Sequence, residues 1–593
     1  MKRTPKNSAP AVSLWFVLFL LALLVQAGCR PATPTPTQAA PTETRPPTLT
    51  PSPDPPVTLV APTPVPYPTP GPTAQPTVSI IRRILDSGVL RVGIRFNEPP
   101  FGMLDRFGNV VGYDADLARS LAESWGVQPE FVQVTNQTAV PYLLSGEVDL
   151  LIAAMPHRRE QEAFMDFSQS YYPGGQAVMV RADSGINALE QLNQRTLAAV
   201  YGSTAAEALA ERNLEATLTL KDTLDEAITA LVGGEVDAVV DSLVHLRNAQ
   251  AGLPGGSVAI LEPPLNSEPF AIGLPRFDVN LRNAVNRTLQ ALETGGRMAE
   301  IHNAWFKDLA YPGMVIWESD DTRSFADYPT DIPLTDSVLA RLAQGAALVV
   351  AGLSLNPEAA EGQAQLEAFY RALVEAMAAR WGVAVEFPPD SDADPAAWVA
   401  DGRALLAVGV EPRWDGIDAV DYSQAFLLHG DRLMVRKDSE FRGFGDMRGK
   451  RVAVFGEGAA ENEARANELA LSVRVRLAGV VQLEDAEAAL RALTRNEVDA
   501  VFGDSLVLGP VVSANPDAVR FTERFYTQHG VALALPRNDA DFRALVNFTL
   551  QDLVRDGTYD RLYTEMLGWA EPLPVEVWPG DDAWLREGRL ASP

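Results

Sequence analysis

Residues 89–125 read VLRVGIRFNEPPFGMLDRFGNVVGYDADLARSLAESW and contain the two patterns that decide the fold. The run Val89–Ile94 is short, apolar and rich in β-branched residues, which is typical of a buried parallel strand. Further along, Leu117, Leu121 and Trp125 are spaced four residues apart, so they lie on one face of a helix. A buried strand followed by a helix with one apolar face indicates a layered α/β protein.

The same alternation continues downstream of this stretch. Short apolar runs at residues 150–153, 196–201 and 238–240 are typical of further buried strands, and longer helical patterns separate them. Such an order predicts α/β layers joined by right-handed crossovers.

The chain also contains this unit twice, and the repeat is its strongest organisational signal. Three markers of the first copy recur in the same order in the second: Trp125-Gly126-Val127 as Trp381-Gly382-Val383, Asp166-Phe167-Ser168-Gln169 as Asp421-Tyr422-Ser423-Gln424, and Leu274-Pro275-Arg276 as Leu535-Pro536-Arg537. Their spacing drifts by a few residues, so we interpret the two copies as a duplication with insertions and deletions in loops.

The first copy resembles the family 3 extracellular solute-binding proteins, the polar amino-acid receptors of ABC importers. The motifs that carry the resemblance are Val92-Gly93-Ile94, Pro99-Pro100-Phe101-Gly102, Gly112-Tyr113-Asp114-Ala115-Asp116-Leu117, Gly146-Glu147-Val148-Asp149-Leu150, Asp166-Phe167-Ser168, Tyr201-Gly202-Ser203-Thr204 and Gly234-Glu235-Val236-Asp237-Ala238. The resemblance implies two tandem periplasmic-binding-protein-like (type II) units. Each would have two α/β lobes joined by a two-segment hinge, which closes on a ligand between the lobes. In the first copy the hinge is expected near residues 171–177 and 266–272.

We therefore expect six segments along the chain. They are a lipoprotein signal peptide and lipobox (1–29), a Pro/Thr-rich linker (30–78), repeat 1 (79–310, with lobe 1 at 79–172 and 270–310 and lobe 2 at 173–269), a connector (311–335), repeat 2 (336–575, with lobe 1 at 336–427 and 530–575 and lobe 2 at 428–529), and a C-terminal tail (576–593).

The amino terminus has the layout of a signal peptide. Basic residues precede an apolar run at 14–25 that is too short to cross a bilayer. The run ends in Val25-Gln26-Ala27-Gly28-Cys29, which resembles a lipobox apart from Gln26. Lipidation of Cys29 would anchor the protein to the cell membrane, at the cell surface or in the periplasm; the alternative is a buried free cysteine. The Pro/Thr-rich linker is expected to be a polyproline-like spacer.

Composition argues against several other classes of protein. The chain has 49 Lys and Arg against 77 Asp and Glu, a net charge of −28 that disfavours a nucleic-acid partner. One cysteine and 5 scattered histidines leave little for metal chemistry. We expect neither a cofactor nor a metal.

A zwitterion bound away from water needs hydrogen-bond donors for its carboxylate, an acceptor for its ammonium and an apolar wall. Gly202-Ser203-Thr204 follows a predicted strand and opens a helix, so its N–H and hydroxyl groups can meet a carboxylate. The family uses this loop in that way, which makes Ser203 and Thr204 candidate contacts; the alternative is a plain N-cap. Phe101 matches the family's aromatic wall, although a Phe after two prolines also suits a core.

The charged contacts are assigned by resemblance. Asp241 is the candidate ammonium acceptor, one residue earlier than the family spacing. The position of the family's carboxylate-binding arginine is occupied here by Gln161. Arg158 or Arg159 is the candidate replacement, and the alternative is that both are solvated surface charges.

Arg95 is a further candidate, because acidic amino-acid binders of this family carry a basic residue there; Glu98 could instead neutralise it. In repeat 2, Gly456-Glu457-Gly458 replaces the Gly-Ser-Thr loop and places a carboxylate where a ligand carboxylate would bind. Repeat 2 is therefore expected to be a scaffold, a partner-binding surface or a receptor for a different, cationic ligand.

The expected function is a lipid-anchored extracytoplasmic solute-binding protein that captures a small polar ligand, an amino acid, for an ABC transporter permease. One alternative is a non-transport surface protein, a sensor or scaffold. Another is a cleft enzyme on the same fold, such as a dehydratase or lytic transglycosylase. Glu98, His157 and Glu457 are conceivable acid or base groups, but none has a partner visible in the sequence, so we expect no enzymatic activity.

Overall fold

The computed structural model describes residues 75–306, 309, 311, 313–318, 322–354, 361–389, 394–456, 458–568 and 575–586. The predicted signal peptide, Cys29, most of the linker and Glu457 lie outside the described residues. Within the described part of the chain, no helix is both long enough and apolar enough to span a bilayer.

Repeat 1 alternates strands and helices as the sequence predicts. Its strands are β1 (Val89–Ile94), β2 (Asn97–Glu98), β3 (Gly102–Leu104), β4 (Val110–Val111), β5 (Gln128–Gln133), β6 (Leu150–Leu151), β7 (Met165–Tyr172), β8 (Gln176–Arg181), β9 (Thr196–Val200), β10 (Thr217–Lys221), β11 (Ala238–Ser242), β12 (Val258–Ile260) and β13 (Phe270–Pro275). Its helices are α1 (Ile80–Ser87), α2 (Tyr113–Trp125), α3 (Ala139–Ser145), α4 (Ala205–Glu211), α5 (Leu224–Gly233), α6 (Leu243–Gly252), α7 (Val279–Thr294) and α8 (Arg297–Trp305).

These strands form two five-stranded sheets, one in each lobe. Lobe 1 has the order β5-β1-β6-β13-β7 and lobe 2 the order β10-β9-β11-β8-β12. The central pairs are parallel, as expected, whereas β13 runs antiparallel to β6 and β7, and β8 runs antiparallel to β11 and β12. A small sheet, β2-β3-β4, stands beside lobe 1.

The four predicted strands are present, with shifted ends for three of them. β1 has the predicted bounds, β6 is shorter than the predicted run, β9 ends one residue earlier and β11 extends to Ser242. The predicted helical face is confirmed in α2, where Leu117 and Leu121 are fully buried and Trp125 is nearly so. Apolar periodicity located these elements because each must bury its face against a neighbouring layer.

The chain crosses between the two lobes of repeat 1 twice, leaving β7 at Tyr172 for β8 and returning into β13 at Phe270. The two crossings touch, since Glu268 N donates to Gly174 O at 2.9 Å. A Cβ on Gly174 would lie 2.2 Å from the Glu268 carbonyl oxygen, so only glycine allows this approach.

Repeat 2 has the same layout. Its strands are β14 (Leu348–Ala351), β15 (Val385–Glu386), β16 (Leu406–Val410), β17 (Val420–Tyr422), β18 (Leu427–His429), β19 (Asp431–Arg436), β20 (Arg451–Phe455), β21 (Gly479–Leu483), β22 (Ala500–Asp504), β23 (Val519–Phe525) and β24 (His529–Pro536). Its helices are α9 (Val338–Ala343), α10 (Glu361–Trp381), α11 (Pro395–Ala400), α12 (Ala459–Ser472), α13 (Ala486–Thr494), α14 (Ser505–Ala514), α15 (Ala540–Arg555), α16 (Thr558–Met566) and, in the tail, α17 (Ala583–Arg586).

The sheets of repeat 2 repeat the strand orders of repeat 1: β15-β14-β16-β24-β17, with β18 also paired to β24, and β21-β20-β22-β19-β23. The correspondence extends to single hydrogen bonds. Trp125 Nε1 donates to Thr288 Oγ1 at 2.8 Å in repeat 1, and Trp381 Nε1 donates to Thr549 Oγ1 at 2.9 Å in repeat 2. The duplication inferred from the sequence is therefore a structural one.

The two repeats contact each other through their first lobes, where a cluster of buried ion pairs crosses the boundary. Arg282 Nη2 lies 2.5 Å from Asp421 Oδ2, and Arg543 Nη2 lies 3.0 Å from Asp166 Oδ1. Arg282 also pairs with Asp166 of its own repeat at 3.4 Å. Although burial opposes it, the two guanidinium groups lower the pKa of Asp421.

Candidate functional site

Asp114 is a buried carboxyl group of lobe 1, next to the hinge strand β7 of repeat 1. It lies in the first turn of α2 and accepts hydrogen bonds from Ala154 N at 2.6 Å and Tyr171 Oη at 2.9 Å. Burial raises the pKa of Asp114 to about 7, against the lowering effect of these two bonds. The carboxyl thus joins α2 to the loop after β6 and to the hinge strand β7.

A chain of charged side chains joins the two lobes of repeat 1. From lobe 1, Arg95 Nη1 lies 3.2 Å from Glu98 Oε2, and Glu98 Oε1 lies 3.1 Å from His245 Nε2 on α6 of lobe 2. His245 Nδ1 in turn lies 2.9 Å from Asp241 Oδ1. Burial alone would lower the pKa of His245, but Asp241 and Glu98 raise it to about 10, so the imidazole is cationic at neutral pH.

A second ion pair joins the lobes further along the cleft. Arg158 of lobe 1 contacts Glu160 in its own loop, and its Nη2 lies 2.9 Å from Glu207 Oε2 on α4 of lobe 2. Burial disfavours the charged guanidinium, but the two carboxylates raise the pKa of Arg158 above its ordinary value. The alternative that Arg158 is a solvated surface charge is wrong, because its side chain is only 16% exposed.

The Gly-Ser-Thr loop lies on the lobe 2 side of the cleft. Ser203 N is used within the turn, donating to Val200 O at 3.1 Å, whereas Ser203 Oγ has no hydrogen-bond partner among the described residues. Thr204 is the N-cap residue of α4 but makes no side-chain cap; its Oγ1 donates to Glu268 Oε1 on the hinge at 2.5 Å. The plain N-cap alternative is therefore wrong for Thr204.

Phe101 does not form a ligand wall. Its side chain is 1% exposed, and its ring packs edge-on or tilted against four aromatic rings: Tyr113, Tyr172, Phe270 and Phe306. The alternative of a core residue is the one that the structure bears out. In the Pro-Pro-Phe loop it is Glu98, just before the prolines, that reaches the cleft.

Arg159 is not a cleft residue either, and it is not a surface charge. Its side chain is 3% exposed and enters repeat 2, where Nη1 lies 2.7 Å from Asp552 Oδ1. Its Nε and Nη2 donate to Gln551 Oε1 at 3.1 and 2.9 Å. The neighbouring Arg158 and Arg159 therefore point to different places because they follow each other in an irregular turn that continues into a 3₁₀ helix.

Two histidine–carboxylate pairs in repeat 1 were missed in the sequence. His157 Nε2 lies 2.6 Å from Glu162 Oε1, and His245 links Glu98 to Asp241 as described above. The spacing of Asp241 and His245, four residues apart where a strand passes into a helix, could have indicated the second pair. The pairing to Glu98 has no local signal, since the two residues belong to different lobes.

The cleft of repeat 2 is also crossed by a histidine held between carboxylates. His429 Nε2 lies 3.0 Å from Glu411 Oε1 of the first lobe, and its Nδ1 lies 2.8 Å from Asp504 Oδ2 at the end of β22. Burial opposes protonation, but the two carboxylates raise the pKa of His429 to about 9. No group of His, Cys, Asp and Glu side chains in the described ranges is arranged to hold a metal ion.

Residues 90–308 and 355–568 both match the family model of the bacterial extracellular solute-binding proteins, family 3. Together the two matches cover more than half of the chain, and the chain belongs to this family. Its two α/β units are type II periplasmic-binding-protein-like folds in tandem.

The individual relatives correspond to one repeat each. The ABC transporter glutamine-binding protein GlnH of Bacillus subtilis is 28% identical over 231 residues, covering 38% of this chain and 84% of that protein. A glutamine-binding protein of Geobacillus stearothermophilus is 30% identical over 213 residues, covering 35% and 80%. Among solved structures, an ancestral arginine-binding protein bound to glutamine is 32% identical, with a TM-score of 0.33, and covers 37% of this chain and 99% of its own.

Proposed function

We propose that repeat 1 is the receptor for a small polar solute, an amino acid, which it captures between its lobes for an ABC transporter permease. The observation that carries this proposal is the pair of charged bridges across one cleft, Glu98 to His245 and Arg158 to Glu207. Both signs of charge are thus available inside the cleft, as a zwitterion requires.

The bridges indicate how a ligand would enter. Its carboxylate would replace Glu207 at the guanidinium of Arg158, next to the hydroxyl of Ser203. Its ammonium would replace the imidazolium of His245 at Glu98 and Asp241. Each exchange keeps a buried charge paired, so closure around the ligand does not leave an isolated ion in a dry site.

The family supports this proposal. The matched relatives are named for binding glutamine, arginine, glutamate and aspartate or histidine, and one is named as part of an ABC transporter. We further propose that Cys29 is lipidated and anchors the protein outside the cytoplasm, and that repeat 1 binds its ligand without converting it. Repeat 2 would then act as a scaffold or as a receptor for a cationic ligand, since Glu411 and Asp504 already hold a cationic imidazole in its cleft.

Ligand-dependent stabilisation tests the receptor assignment. Titration of the chain with a panel of amino acids is expected to raise the melting temperature for at least one of them, with about 2.7 kcal/mol added at 100 times Kd. Arg158→Ala should weaken binding at least ~10-fold, because the carboxylate loses its cation. Arg106→Ala, an exposed arginine in the turn between β3 and β4, is the matched control and should leave binding unchanged.

If no amino acid stabilises the chain, the receptor assignment fails and the non-transport surface protein takes its place. If an amino acid binds but R158A binds it equally well, the solute-binding function stands and the assigned carboxylate site is wrong. Turnover of a bound substrate would favour the enzyme alternative instead.

A further inference from the structure

A cavity with both apolar and polar lining residues lies between the two repeats, and it contains none of the cleft residues described above. Its volume is about 320 Å³, within the range of small-molecule sites, and matched residues of the two repeats line it. Among these matched residues are Gln169 and Gln424, which follow the repeated Asp-aromatic-Ser motif, and Asn286 and Asn547, which lie on α7 and α15.

The orientation of the two asparagine side chains is fixed by the backbone. Asn286 Oδ1 accepts from Gln169 N at 2.8 Å, and Asn547 Oδ1 accepts from Gln424 N at 2.9 Å. A backbone N–H can only donate, so the oxygen of each amide faces the backbone and the NH₂ group is left over. Neither NH₂ group has a hydrogen-bond partner among the residues described.

The orientation of Gln169 follows from its neighbour Gln290. Gln290 Oε1 accepts from Trp317 N at 2.7 Å and from Trp414 Nε1 at 3.1 Å, so Nε2 of Gln290 is the donor toward Gln169. Gln169 Oε1 accepts that bond at 2.9 Å, which leaves Gln169 Nε2 without an acceptor in the described part of the chain.

Repeat 2 fixes Gln424 by the same logic. Gln551 Oε1 accepts from Trp578 N and from Arg159 Nε, both at 3.1 Å, so Gln551 Nε2 donates to Gln424 Oε1 at 3.2 Å. Gln424 Nε2 also has no hydrogen-bond partner among the described residues, but it has almost no accessible surface and does not face the cavity. Three carboxamide NH₂ groups, those of Gln169, Asn286 and Asn547, therefore offer donors to one cavity that no described residue uses.

The cavity wall also contains charged side chains. The guanidinium groups of Arg282 and Arg543 are already paired with Asp166 and Asp421, so this cluster contributes no net charge. One further carboxylate, Glu576, lines the cavity, and its Oε1 accepts from Ser170 Oγ at 2.7 Å and from Trp578 Nε1 at 2.6 Å. The wall thus includes three amide donors that no described residue uses and a carboxylate with no described cation beside it.

We infer that this cavity is a second ligand site, which takes a small zwitterion such as a free amino acid. The carboxylate of the ligand accepts hydrogen bonds from the NH₂ groups of Gln169, Asn286 and Asn547. Its ammonium pairs with Glu576. Hydrogen bonds from these donors to a carboxylate are charge-assisted and stronger than those to neutral acceptors, so a ligand that accepts several of them binds favourably. The site uses none of the cleft residues and is independent of the proposed function.

The test uses the full chain with the cleft of repeat 1 blocked by Ser203→Trp. This residue is suitable because its hydroxyl makes no hydrogen bond in the described structure, and a tryptophan beside the cross-cleft pair of Arg158 and Glu207 is expected to obstruct the ligand. Calorimetric titration of this variant with each common amino acid, and with acetate, is expected to reveal one that binds, with acetate at least ~10-fold weaker because it has no ammonium.

Single substitutions of cavity residues then show whether the amino acid binds in this cavity. Asn286→Asp and Asn547→Asp, made in the blocked chain, keep the oxygen that accepts from the backbone and replace the donor by a negative oxygen. Each is expected to weaken binding at least ~10-fold. Glu576→Gln should weaken it as well, whereas Asn187→Asp, which adds the same charge at an exposed position, should not.

Failure of every amino acid to bind the blocked chain overturns the inference, as does equal binding by the two Asp variants. A crystal structure of the blocked chain soaked with the bound amino acid does not depend on the folding of those variants. Ligand density between Gln169 and Gln424 supports the site, and water alone overturns it. If blocking the cleft abolishes all binding, the ligand binds in the cleft alone. That result supports the proposed function and overturns the second site.

Discussion

At the scale of single residues, the surroundings of Asp114 determine its pKa. It is fully buried at the start of α2, and burial raises its pKa from the ordinary value of 3.8 to about 7. Between these values the folded chain retains a proton that the unfolded chain releases. The stability contributed by this proton is therefore complete below about pH 4 and is lost as the pH rises through 7.

Asp114→Asn is expected to remove this pH dependence. Its amide oxygen can still accept from Ala154 N, and the Tyr171 hydroxyl can rotate to accept from the amide. The stability difference between wild type and variant should shift in favour of the variant by about 2 kcal/mol between pH 5 and pH 7. Urea unfolding at the two pH values measures the shift.

Asp86→Asn, at an exposed position in α1, is the control and should show no such shift. A difference between wild type and D114N that is the same at both pH values would contradict the assignment of the titration to Asp114.

At the scale of elements, the segment that follows each repeat packs against the other repeat. Trp317, after repeat 1, packs against Trp414 of repeat 2 with ring centres 4.5 Å apart and the rings tilted by 36°. Trp578, after repeat 2, stacks against His157 of repeat 1 at 3.6 Å. Each repeat thus receives a tryptophan from the segment that follows the other.

Trp578→Ala is expected to destabilise the chain by about 3–5 kcal/mol, the usual cost of removing a buried tryptophan. The side chain is nearly fully buried, and its loss removes both the contact with His157 and the hydrogen bond to Glu576. Trp398→Ala, at a partly exposed position, should cost less. Chemical denaturation measures the unfolding midpoints of both variants. Equal midpoints for W578A and wild type would mean that Trp578 does not stabilise the contact between the repeats.

At the scale of the whole molecule, the two repeats are joined through buried polar contacts. Arg159 is the clearest example, because a residue of repeat 1 donates to Gln551, Asp552 and the Phe548 carbonyl of repeat 2. Its ring contact with Phe548, 5.1 Å to the centroid, adds to the same attachment.

Arg159→Ala is expected to destabilise the contact between the repeats by about 3 kcal/mol, since it breaks a buried ion pair. Differential scanning calorimetry should then resolve separate unfolding of the two repeats, because less coupling energy remains between them. Arg158→Ala is the matched control from the adjacent position; it removes a contact between the lobes of repeat 1 and should lower stability without separating the unfolding of the two repeats. Identical profiles for both variants would mean that Arg159 does not couple the repeats.

Much of the fold could be predicted because its signals are local. Apolar periodicity located β1 and the buried face of α2, and the repeated motifs revealed the duplication. The motifs also led to the family that the comparison with known proteins confirms. Each of these signals depends only on residues close together in the chain.

The candidate site was less predictable, since the contacts of its side chains depend on residues that are distant in the sequence. Phe101 is a core residue because four aromatic rings from separate segments surround it. Glu98 faces the cleft because His245 of the other lobe lies opposite. The roles of the remaining predicted contacts, Ser203, Thr204, Asp241 and Arg95, stay predictions.

The amino-acid sequence by itself determined the order of the elements, the two repeats and their family, because hydrophobic period and motif spacing are properties of the chain. Only the tertiary structure decided that Arg158 pairs across the lobes while Arg159 enters the other repeat, and that amide side chains of both repeats line a cavity between them. The physical reason is that a polar side chain takes its role from the partner that satisfies it, and these partners come from parts of the chain that only folding brings together.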